Sequence, residues 1–455
     1  MPELKKNDLL TLNAESYSSE GQGVAHSDGR VLFVKGALRG ETVEARVLKV
    51  TAHAAFAKTE RVVAPSPHRI TPDCPHFGKC GGCDFLHMDY AEELFCKRQR
   101  VEDALRRIGG LTLDVPDVVP SPELFGYRNK AIVEVARHNG RAVTGCYRAH
   151  SHDVVAIESC PIQSDVSNRL AAALRAWMDA VPEESDANAS NAKASELVRY
   201  LFCRTARDSA SAQAVVVSPK RKLPDEAGLI KTLRAACPEL TGILLMQNDG
   251  PGNVALTGNA RVLWGEKYLT DTLGGLRFKL SPRSFYQVNH AQAERLYSEV
   301  TRLAALTRAD TALDLYSGAG TISLTLARDA GRVIGAEIIQ DAVKNARENA
   351  RSNESANTEF LLADAGDALV TLTERGIRPA AVVFDPPRRG LAPEVIDAAA
   401  KMSPERVVYV SCDPATLARD LGAFRELGYL TREVRALDMF PRCTHVECAA
   451  LLTRG

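Results

Sequence analysis

The sequence predicts a multidomain α/β protein whose C-terminal part is a doubly wound, mostly parallel sheet. Three observations carry that expectation. Apolar runs at 311–315, 333–337, 359–363, 381–385, 407–411 and 448–452 read as strands, and helical patterns such as 340–352 and 393–401 separate the first five. Three of these runs break at turns that carry chemistry: Leu313-Asp314-Leu315-Tyr316-Ser317-Gly318-Ala319-Gly320, Phe384-Asp385-Pro386-Pro387-Arg388-Arg389-Gly390 and Val410-Ser411-Cys412-Asp413-Pro414. Strand ends of one α/β unit open onto one crevice, so a glycine turn, an acid and a thiol are expected to share a site.

The bulk composition is permissive. A length of 455 residues suggests two to four domains, and 45% hydrophobic with 25% charged residues is enough to build real cores. Basic and acidic residues balance at 57 each, so net charge neither points to nucleic acid nor excludes it. No apolar run approaches the roughly 18 residues of a membrane span, and Met1-Pro2-Glu3-Leu4-Lys5-Lys6 has no secretory character. Eleven cysteines without a leader argue for the reducing cytoplasm and against a disulfide framework. Cys96, Cys146, Cys203 and Cys237 sit among apolar neighbours and read as small hydrophobes.

Residues 1–64 read as all-β. Short runs (Leu9–Leu12, Val31–Val34, Val43–Leu48) alternate with glycines at 21, 23, 29, 36 and 40, as in a small barrel. Pro65, Ser66 and Pro67 mark its exit, and residues 65–280 form a second, mixed α+β unit. It opens on a Cys-rich loop, Cys74 to Cys83. A helical segment follows at about 90–110, expected to pack on the C-terminal unit. Strands are expected at 131–135, 143–147, 214–217 and 242–246. The polar stretch 182–195 reads as an exposed loop. The regular alternation of strand and helix begins at 281 and runs to 455.

Within that last unit, Asp314-x-x-x-Gly318-x-Gly320 lets backbone approach a ligand closely. The next strand ends in Glu337, at the distance from which an acid can hydrogen-bond ribose hydroxyls. Asp364, after the strand at 359–363, could face an adenine amine. The third glycine of the dinucleotide fingerprint is missing, because position 323 is Ser, so S-adenosylmethionine fits better than NAD.

Cys412 precedes a helix at 415–421, and a helix N-terminus can lower a thiol pKa and make a thiolate nucleophile. Glu447, just before the last strand, supplies a carboxylate that could act as general base. A thiolate beside a methyl donor suits one chemistry in particular. Addition to C6 of a pyrimidine makes C5 nucleophilic, C5 takes the methyl group, a base removes the C5 proton and the thiol leaves. Adenine N6 methylation has no role for such a cysteine and favours an aromatic after Pro-Pro, where this chain has Arg388.

Cys74-x5-Cys80-x2-Cys83 is dense in cysteine, glycine and proline, as metal or cluster loops are. Cys160, in Glu158-Ser159-Cys160-Pro161, is the best candidate for a fourth ligand. A second C-x2-C, as in zinc ribbons, is absent, and so is the C-x3-C-x2-C of radical enzymes. His76 and His87 read as loop residues. Arg128, Lys130, Arg137, Arg141 and Arg148, with Phe125 and Tyr127 beside them, form a local basic stretch that could meet RNA.

With these residues in hand, the chain resembles, over nearly its whole length, the TRAM-domain RNA uridine-C5 methyltransferases of bacteria. The most specific segments are Ser284–Asn289, Asp314–Gly318, Phe384–Arg388, Val410–Asp420 and Asp438–Pro441. The resemblance implies an OB-like TRAM barrel that binds RNA, a central iron–sulfur domain and a Rossmann-like methyltransferase domain. It implies that Gln287, Tyr316, Gly318, Gly320, Thr321, Glu337 and Asp364 hold S-adenosylmethionine, with Asp385 between cofactor and uracil. Cys412 would be the nucleophile and Glu447 the base. Cys74, Cys80, Cys83 and Cys160 match the ligands of a [4Fe-4S] cluster, with zinc as the alternative. The target uridine would lie in RNA, with ribosomal 23S RNA favoured over transfer RNA and no obligate protein partner. A metal-stabilised RNA-binding factor with an inactive methyltransferase domain is the rival reading. Two positions depart from the family pattern: Asp413 where Asn is usual, and Cys443 where Thr is usual.

Overall fold

The computed structural model describes residues 4–27, 29–149, 151–181, 193–194, 197–207, 210–250 and 254–455. The first unit is a six-stranded sheet of β1 (Leu9–Asn13), β2 (Ser16–Tyr17), β3 (Gly23–Ser27), β4 (Arg30–Lys35), β5 (Thr42–Val50) and β6 (Ala54–Ala64), in the order β1-β5-β6-β4-β3-β2. Alternation along these strands buries Leu12, Ala25, Leu32, Val34, Val43, Ala45 and Ala57 in one small core. Three register shifts between β5 and β6 curve the sheet around that core.

Helix α1 (Tyr90–Arg107) starts at Asp89, whose side chain accepts from the Glu92 amide. One face carries Val101, Ala104 and Leu105 into the core of the C-terminal sheet. Fully burying a side chain such as Leu105 stabilises that docking by roughly 1.5–3 kcal/mol. The other face holds the barrel: Tyr17 Oη donates to Glu92 Oε1 at 2.8 Å, and Arg39 forks onto the same carboxylate at 3.1 and 3.0 Å. One helix thus fixes the barrel against the sheet that carries Cys412.

The central sheet comprises β7 (Lys130–His138), β8 (Arg141–Tyr147), β9 (Val154–Ala156), β10 (Lys193–Ala194), β11 (Tyr200–Ala206), β12 (Ser211–Ser218), β13 (Leu240–Gln247) and β14 (Ala260–Gly265). Its order is β14-β13-β12-β11-β7-β8-β9, with β10 on β7, and only β12 and β13 pair in parallel. Helices α2 (Asp165–Ala180) and α3 (Glu226–Ala236) cover one face through Leu170, Leu174, Trp177, Leu229 and Leu233. Of the stretch 182–195, only the backbone pairing of 193–194 falls within the described residues.

A hairpin, β15 (Leu269–Leu273) and β16 (Leu276–Leu280), turns at Gly274-Gly275, both at positive φ (56° and 75°), which two-residue hairpin turns demand. It is followed by α4 (His290–Ala304), and both pack into the core beneath the C-terminal sheet. That sheet contains β17 (Thr311–Leu315), β18 (Arg332–Glu337), β19 (Thr358–Leu362), β20 (Ala381–Phe384), β21 (Arg406–Ser411), β22 (Tyr429–Leu437) and β23 (Glu447–Arg454). The interleaved helices are α5 (Thr321–Leu326), α6 (Gln340–Ser352), α7 (Ala365–Glu374), α8 (Pro393–Met402) and α9 (Pro414–Glu426). Strand order is β19-β18-β17-β20-β21-β23-β22. Side chains of α1, α7, α8 and α9 fill one face and those of α4, α5 and α6 the other, so the sheet is doubly wound. Its strands are parallel except β23, which runs antiparallel between β21 and β22. The six expected strands are present, and β22 is an addition that sequence reading did not supply.

Candidate active site

The chain winds outward from β17 to β18 and β19, then returns to β20 on the other side of β17. That reversal makes the carboxyl ends of β17 and β20 the switch point of the sheet, where ligands of open α/β folds bind. The turn after β17 is built for close approach. Tyr316 adopts φ +72°, held by amide bonds of Tyr316 and Ser317 to Ala336 O at 3.0 Å each. Gly320, at φ +83°, has no room for a Cβ, which would meet Phe360 at 3.0 Å and Ala346 at 3.2 Å. Gly318, at φ +54°, has open space on its Cβ side instead, so backbone faces the crevice there.

Glu337, at the end of β18, accepts from Gly318 N (3.1 Å) and Ile339 N (2.8 Å), which joins the first two turns. Asp364 caps α7 through Gly366 N at 2.9 Å. Thr321 Oγ1 lies 3.1 Å from Tyr297 Oη, and Gln287 is buried with its carbonyl held by Asn129 Nδ2 at 2.9 Å. The Asp385 amide donates to Leu315 O, so this acid sits beside the β17 turn. The cradle fits S-adenosylmethionine. Ser317 Oγ and Asp314 Oδ1 are buried there without partners, and Ile338, Ile339 and Leu362 stand exposed beside the two acids where a flat base would cover them.

The nucleophile and base are placed by strand register. Ser411 of β21 pairs with Cys448 of β23, and the strands are antiparallel. Cys412, one residue beyond Ser411, and Glu447, one before Cys448, therefore meet at the same edge of the sheet. Burial, and after it the Asp314 charge, pushes the Asp385 carboxyl up to about 7. Burial and then Asp385 hold Glu447 well above the ordinary carboxylate range, against the pull of Arg388. Two carboxyls so placed cannot both ionise cheaply, so each raises the cost of ionising the other.

The expectation that a helix N-terminus lowers the Cys412 pKa is overturned. Burial first, then Glu447, pushes the thiol up to about 11, with Asp385 and Asp413 adding to the rise. The amides at the start of α9 are already taken: Asp413 Oδ1 accepts from Ala415 N and Thr416 N, both at 2.9 Å. The cap that satisfies the helix also places a carboxylate next to the sulfur. Arg388 opposes the rise. Its Nη2 donates to His445 Nε2 at 3.0 Å, and burial, then Arg388 itself, lowers that imidazole to about 4, so it stays a neutral acceptor. Sequence reading used Arg388 only to argue against adenine chemistry and did not single out His445.

A buried ionic cluster holds the segment leading to Glu447. Lys97 Nζ donates to Glu93 (2.7 Å), Asp438 (2.6 Å) and Phe440 O (3.0 Å), with all three side chains shielded from solvent. Burial alone would lower the Lys97 pKa, but Glu93 and Asp438 raise it overall. Tyr90 Oη donates to Asp438 at 2.8 Å, and the Arg442 amide to Glu93 at 2.7 Å.

The thiols behave differently from the sequence expectation. Cys80, Cys83 and Cys160 share one neighbourhood around Arg128. Two further cysteines enter it. Cys146, expected to be a small hydrophobe, has its thiol pushed up by its neighbour Cys80 and by burial, while Cys83 beside it lowers the Cys443 thiol. Cys443 Sγ also donates to Gly82 O at 3.2 Å and accepts from Arg128 Nη2 at 3.4 Å. Cys74 lies on the same loop, half-buried, with its carbonyl bonded to Phe77 N. Among the described residues, no three His, Cys, Asp or Glu side chains are gathered to hold a metal ion as they stand. Thiols are the right ligand type for a thiolate-bound cluster, but the described residues do not gather three of them around one point.

The basic stretch needs correcting as well. Tyr127 is buried with its hydroxyl on Pro441 O and presents no surface to bases, while Arg128 is half-buried with its guanidinium on Cys443 Sγ. Phe125 is exposed but lies under Arg442. A cleft of about 690 Å³ between the barrel and α1, lined in part by Phe33, His53, Arg100, Arg107 and Asp413, opens beside the Cys412 turn. No described helix is long and apolar enough to cross a membrane.

A tRNA (uracil-5-)-methyltransferase family model matches residues 254–455, and a TRAM domain model matches residues 9–59. An RNA methyltransferase of Clostridium tetani is 36% identical over 99% of this chain and 97% of its own length. One of Halalkalibacterium halodurans is 37% identical over 99% and 98%. The fold is similar to that of Pyrococcus abyssi tRNA (uracil-54, C5)-methyltransferase in complex with S-adenosyl-L-homocysteine, with a TM-score of 0.76 and 26% identity, covering 98% of this chain and 100% of that one. With its barrel, its switch-point cradle and its cross-strand thiol and acid, the chain belongs to the TRAM-domain RNA (uracil-5-)-methyltransferase family.

Proposed function

We propose that this protein transfers the methyl group of S-adenosylmethionine to C5 of a uridine in RNA, with 23S ribosomal RNA as the preferred target. The observation that carries the reading is the register of β21 and β23, which places Cys412 and Glu447 side by side next to Asp385 and Arg388. Bound S-adenosylmethionine supplies an electrophilic methyl group. Gln287, Tyr316, Gly318, Gly320, Thr321, Glu337 and Asp364 would hold it, with Asp385 between it and the base. The target base must leave any stack to reach the thiol.

The Cys412 thiol gives its proton to solvent, its sulfur adds to C6, and negative charge passes to the uracil ring. Arg388, the cation facing the sulfur, is placed to stabilise that charge. Once C5 has taken the methyl group, Glu447 removes the C5 proton and the C6–S bond breaks, returning Cys412 as the thiolate. Burial and Asp385 raise the Glu447 pKa, which makes its carboxylate a stronger base than an exposed one. Residues 1–64 would grip the RNA, residues 65–280 would carry a [4Fe-4S] cluster on Cys74, Cys80, Cys83 and Cys160 as a structural element, and residues 281–455 would perform the transfer. The tRNA reading is the second one, favoured by the likeness to a tRNA (uracil-54, C5)-methyltransferase over nearly the whole chain.

The test is nucleoside mass spectrometry for 5-methyluridine in ribosomal and transfer RNA, from cells with and without the gene. Loss from ribosomal RNA that is restored by the wild-type chain and not by Cys412→Ala supports the proposal. Loss confined to transfer RNA changes the substrate. Loss from neither, with RNA binding intact, points to the non-catalytic reading.

A further inference from the structure

We propose that His445 is a positioning residue: by accepting a hydrogen bond from Arg388 it holds that guanidinium across the end of β21, over the Cys412 sulfur. The inference rests on the reading of Cys412 as the nucleophile. Strand order carries it first. β21 lies between β20 and β23. Arg388 belongs to the turn that follows β20, and His445 lies two residues before Glu447, where β23 begins. Strands that flank a common neighbour stand about 10 Å apart. The bond from Arg388 Nη2 to His445 Nε2, at 3.0 Å, closes that gap at the carboxyl end of β21, where Cys412 sits. The charge that Arg388 exerts on both Cys412 and Glu447 agrees with that placement.

The two partners are held in unlike ways. The turn that carries Arg388 is fixed through its backbone. Gly390 N donates to Pro387 O at 2.9 Å, Arg419 Nη2 to Arg389 O at 3.0 Å and Leu391 N to Asp420 Oδ2 at 2.8 Å. The Arg388 side chain itself is exposed, and among the described residues His445 is the one hydrogen-bond partner of its guanidinium. An exposed arginine samples many rotamers, so this bond decides where the charge stands. His445 is anchored more firmly. Its ring meets Phe440 edge-on, with centroids 5.8 Å apart. The preceding residue, Thr444, accepts from Arg100 Nη1 at 2.7 Å through its carbonyl and donates to Asp84 Oδ2 at 3.1 Å through its amide.

An imidazole suits the task because it can accept a hydrogen bond without bearing charge. Accepting at Nε2 places the ring proton on Nδ1. Burial, and then the Arg388 charge, lowers the His445 pKa to about 4, so the ring is neutral wherever the bond is needed. A carboxylate at this position would accept equally well, but its charge would offset that of Arg388 at the sulfur. The bond spends one N–H of the guanidinium and leaves the others for the charge that develops on the base. A cation held in this way is preorganised: it need not be recruited from solvent when the sulfur adds or leaves.

The experiment measures iodoacetamide alkylation of the Cys412 peptide at pH 8 in the full-length protein, without RNA. The variants are His445→Gln, His445→Asn, Arg388→Met and the last two combined. A Gln carbonyl can reach the place of Nε2, whereas an Asn carbonyl reaches only that of Nδ1. His445→Asn should slow alkylation about two- to fourfold, because a thiol pKa raised by about 0.5–1 unit depletes the thiolate. His445→Gln should restore the wild-type rate. In the Arg388→Met background, His445→Asn should add no further loss, the mark of a residue that acts through Arg388. Equal rates for the Gln and Asn variants, or the same His445→Asn loss in both backgrounds, would overturn the proposal. Arg388→Met, at an exposed position, must by itself slow alkylation; an unchanged rate overturns the proposal even if His445→Asn fails to fold. Methyl transfer on the same samples keeps the two readings apart. If the wild-type chain transfers methyl groups, His445→Asn should lower kcat and leave the KM for S-adenosylmethionine unchanged, and an unaltered kcat counts against His445. If the wild-type chain transfers none while the alkylation pattern holds, the proposed function falls and the positioning role stays.

Discussion

Replacing Asp413 with Asn isolates the electrostatic burden on the nucleophile. Asn caps helices about as well as Asp, and its carbonyl can accept the same Ala415 and Thr416 amides, so the fold should be retained. What disappears is one negative charge beside Cys412. Beside the sulfur, at an effective dielectric of about 20–40, that charge is worth on the order of 1–2 kcal/mol. The lower end applies, because Asp413 is 30% exposed and the Arg100 guanidinium lies 3.9 Å from it. The thiol pKa should fall by about 0.5–1 unit. The thiolate fraction at pH 8 would rise about three- to tenfold, but a less basic thiolate is a weaker nucleophile, which leaves a net gain of about two- to fourfold. The assay is the alkylation rate of the Cys412 peptide by iodoacetamide, followed by mass spectrometry. A rate that stays constant or falls, in a variant with wild-type melting behaviour, would refute the claim that Asp413 burdens the thiol.

Three further outcomes are expected. Arg388→Gln removes the cation that opposes the rise of the Cys412 pKa, so the same alkylation rate should fall, and methyl transfer should drop about 10²-fold or more; unchanged turnover would exclude a role for Arg388 in charge stabilisation. Lys97→Met leaves Asp438 buried without its cation and Glu93 with Arg442 alone, 3.3 Å away, which should cost about 3–5 kcal/mol in urea denaturation; a loss under about 1 kcal/mol would mean the cluster is hydrated. Asp385 has its folded pKa raised from the ordinary value near 4 to about 7, so the native state binds the extra proton across that window. Stability should then fall as pH rises from about 4 to 7, by on the order of 3 kcal/mol from this group. Asp385→Asn should flatten that slope, and an unaltered pH–stability curve would show that the carboxyl ionises freely.

The C-terminal unit was legible in the sequence because its signals are local. An apolar run, a glycine pair and a strand-end acid sit within a few residues of one another, and parallel strand ends face one crevice whatever the strand order. The properties that decide reactivity are not local. Nothing in Ser411-Cys412-Asp413-Pro414 reveals that Asp413 spends its oxygen on the helix amides, or that Glu447 and Asp385 crowd the sulfur from two other strands. Tyr127 and Arg128 read as surface because aromatic and basic residues usually are, yet Pro441 and Cys443 hydrogen-bond to them from more than 300 residues away. Cys146 and Cys443 escaped for the same reason: each lacks a motif of its own and gains meaning only from the loop it touches. Strand β22 escaped because Arg432, Glu433 and Arg435 interrupt its apolar run, as an edge strand's solvent-facing positions do.

The antiparallel insertion of β23 also has a consequence for the order in which a ribosome delivers the parts. When β22 has just been made, every cofactor-holding turn and the nucleophile already exist, but β22 has no neighbour to pair with, and β21 presents an open edge. Only the later segment fills that slot, bringing the base with it. Until then the nascent chain holds a binding site without a complete reaction centre. The slot fits any copy of β23, including one donated by a second chain. Exchange of this strand between molecules is therefore the misassembly to which the topology is most open.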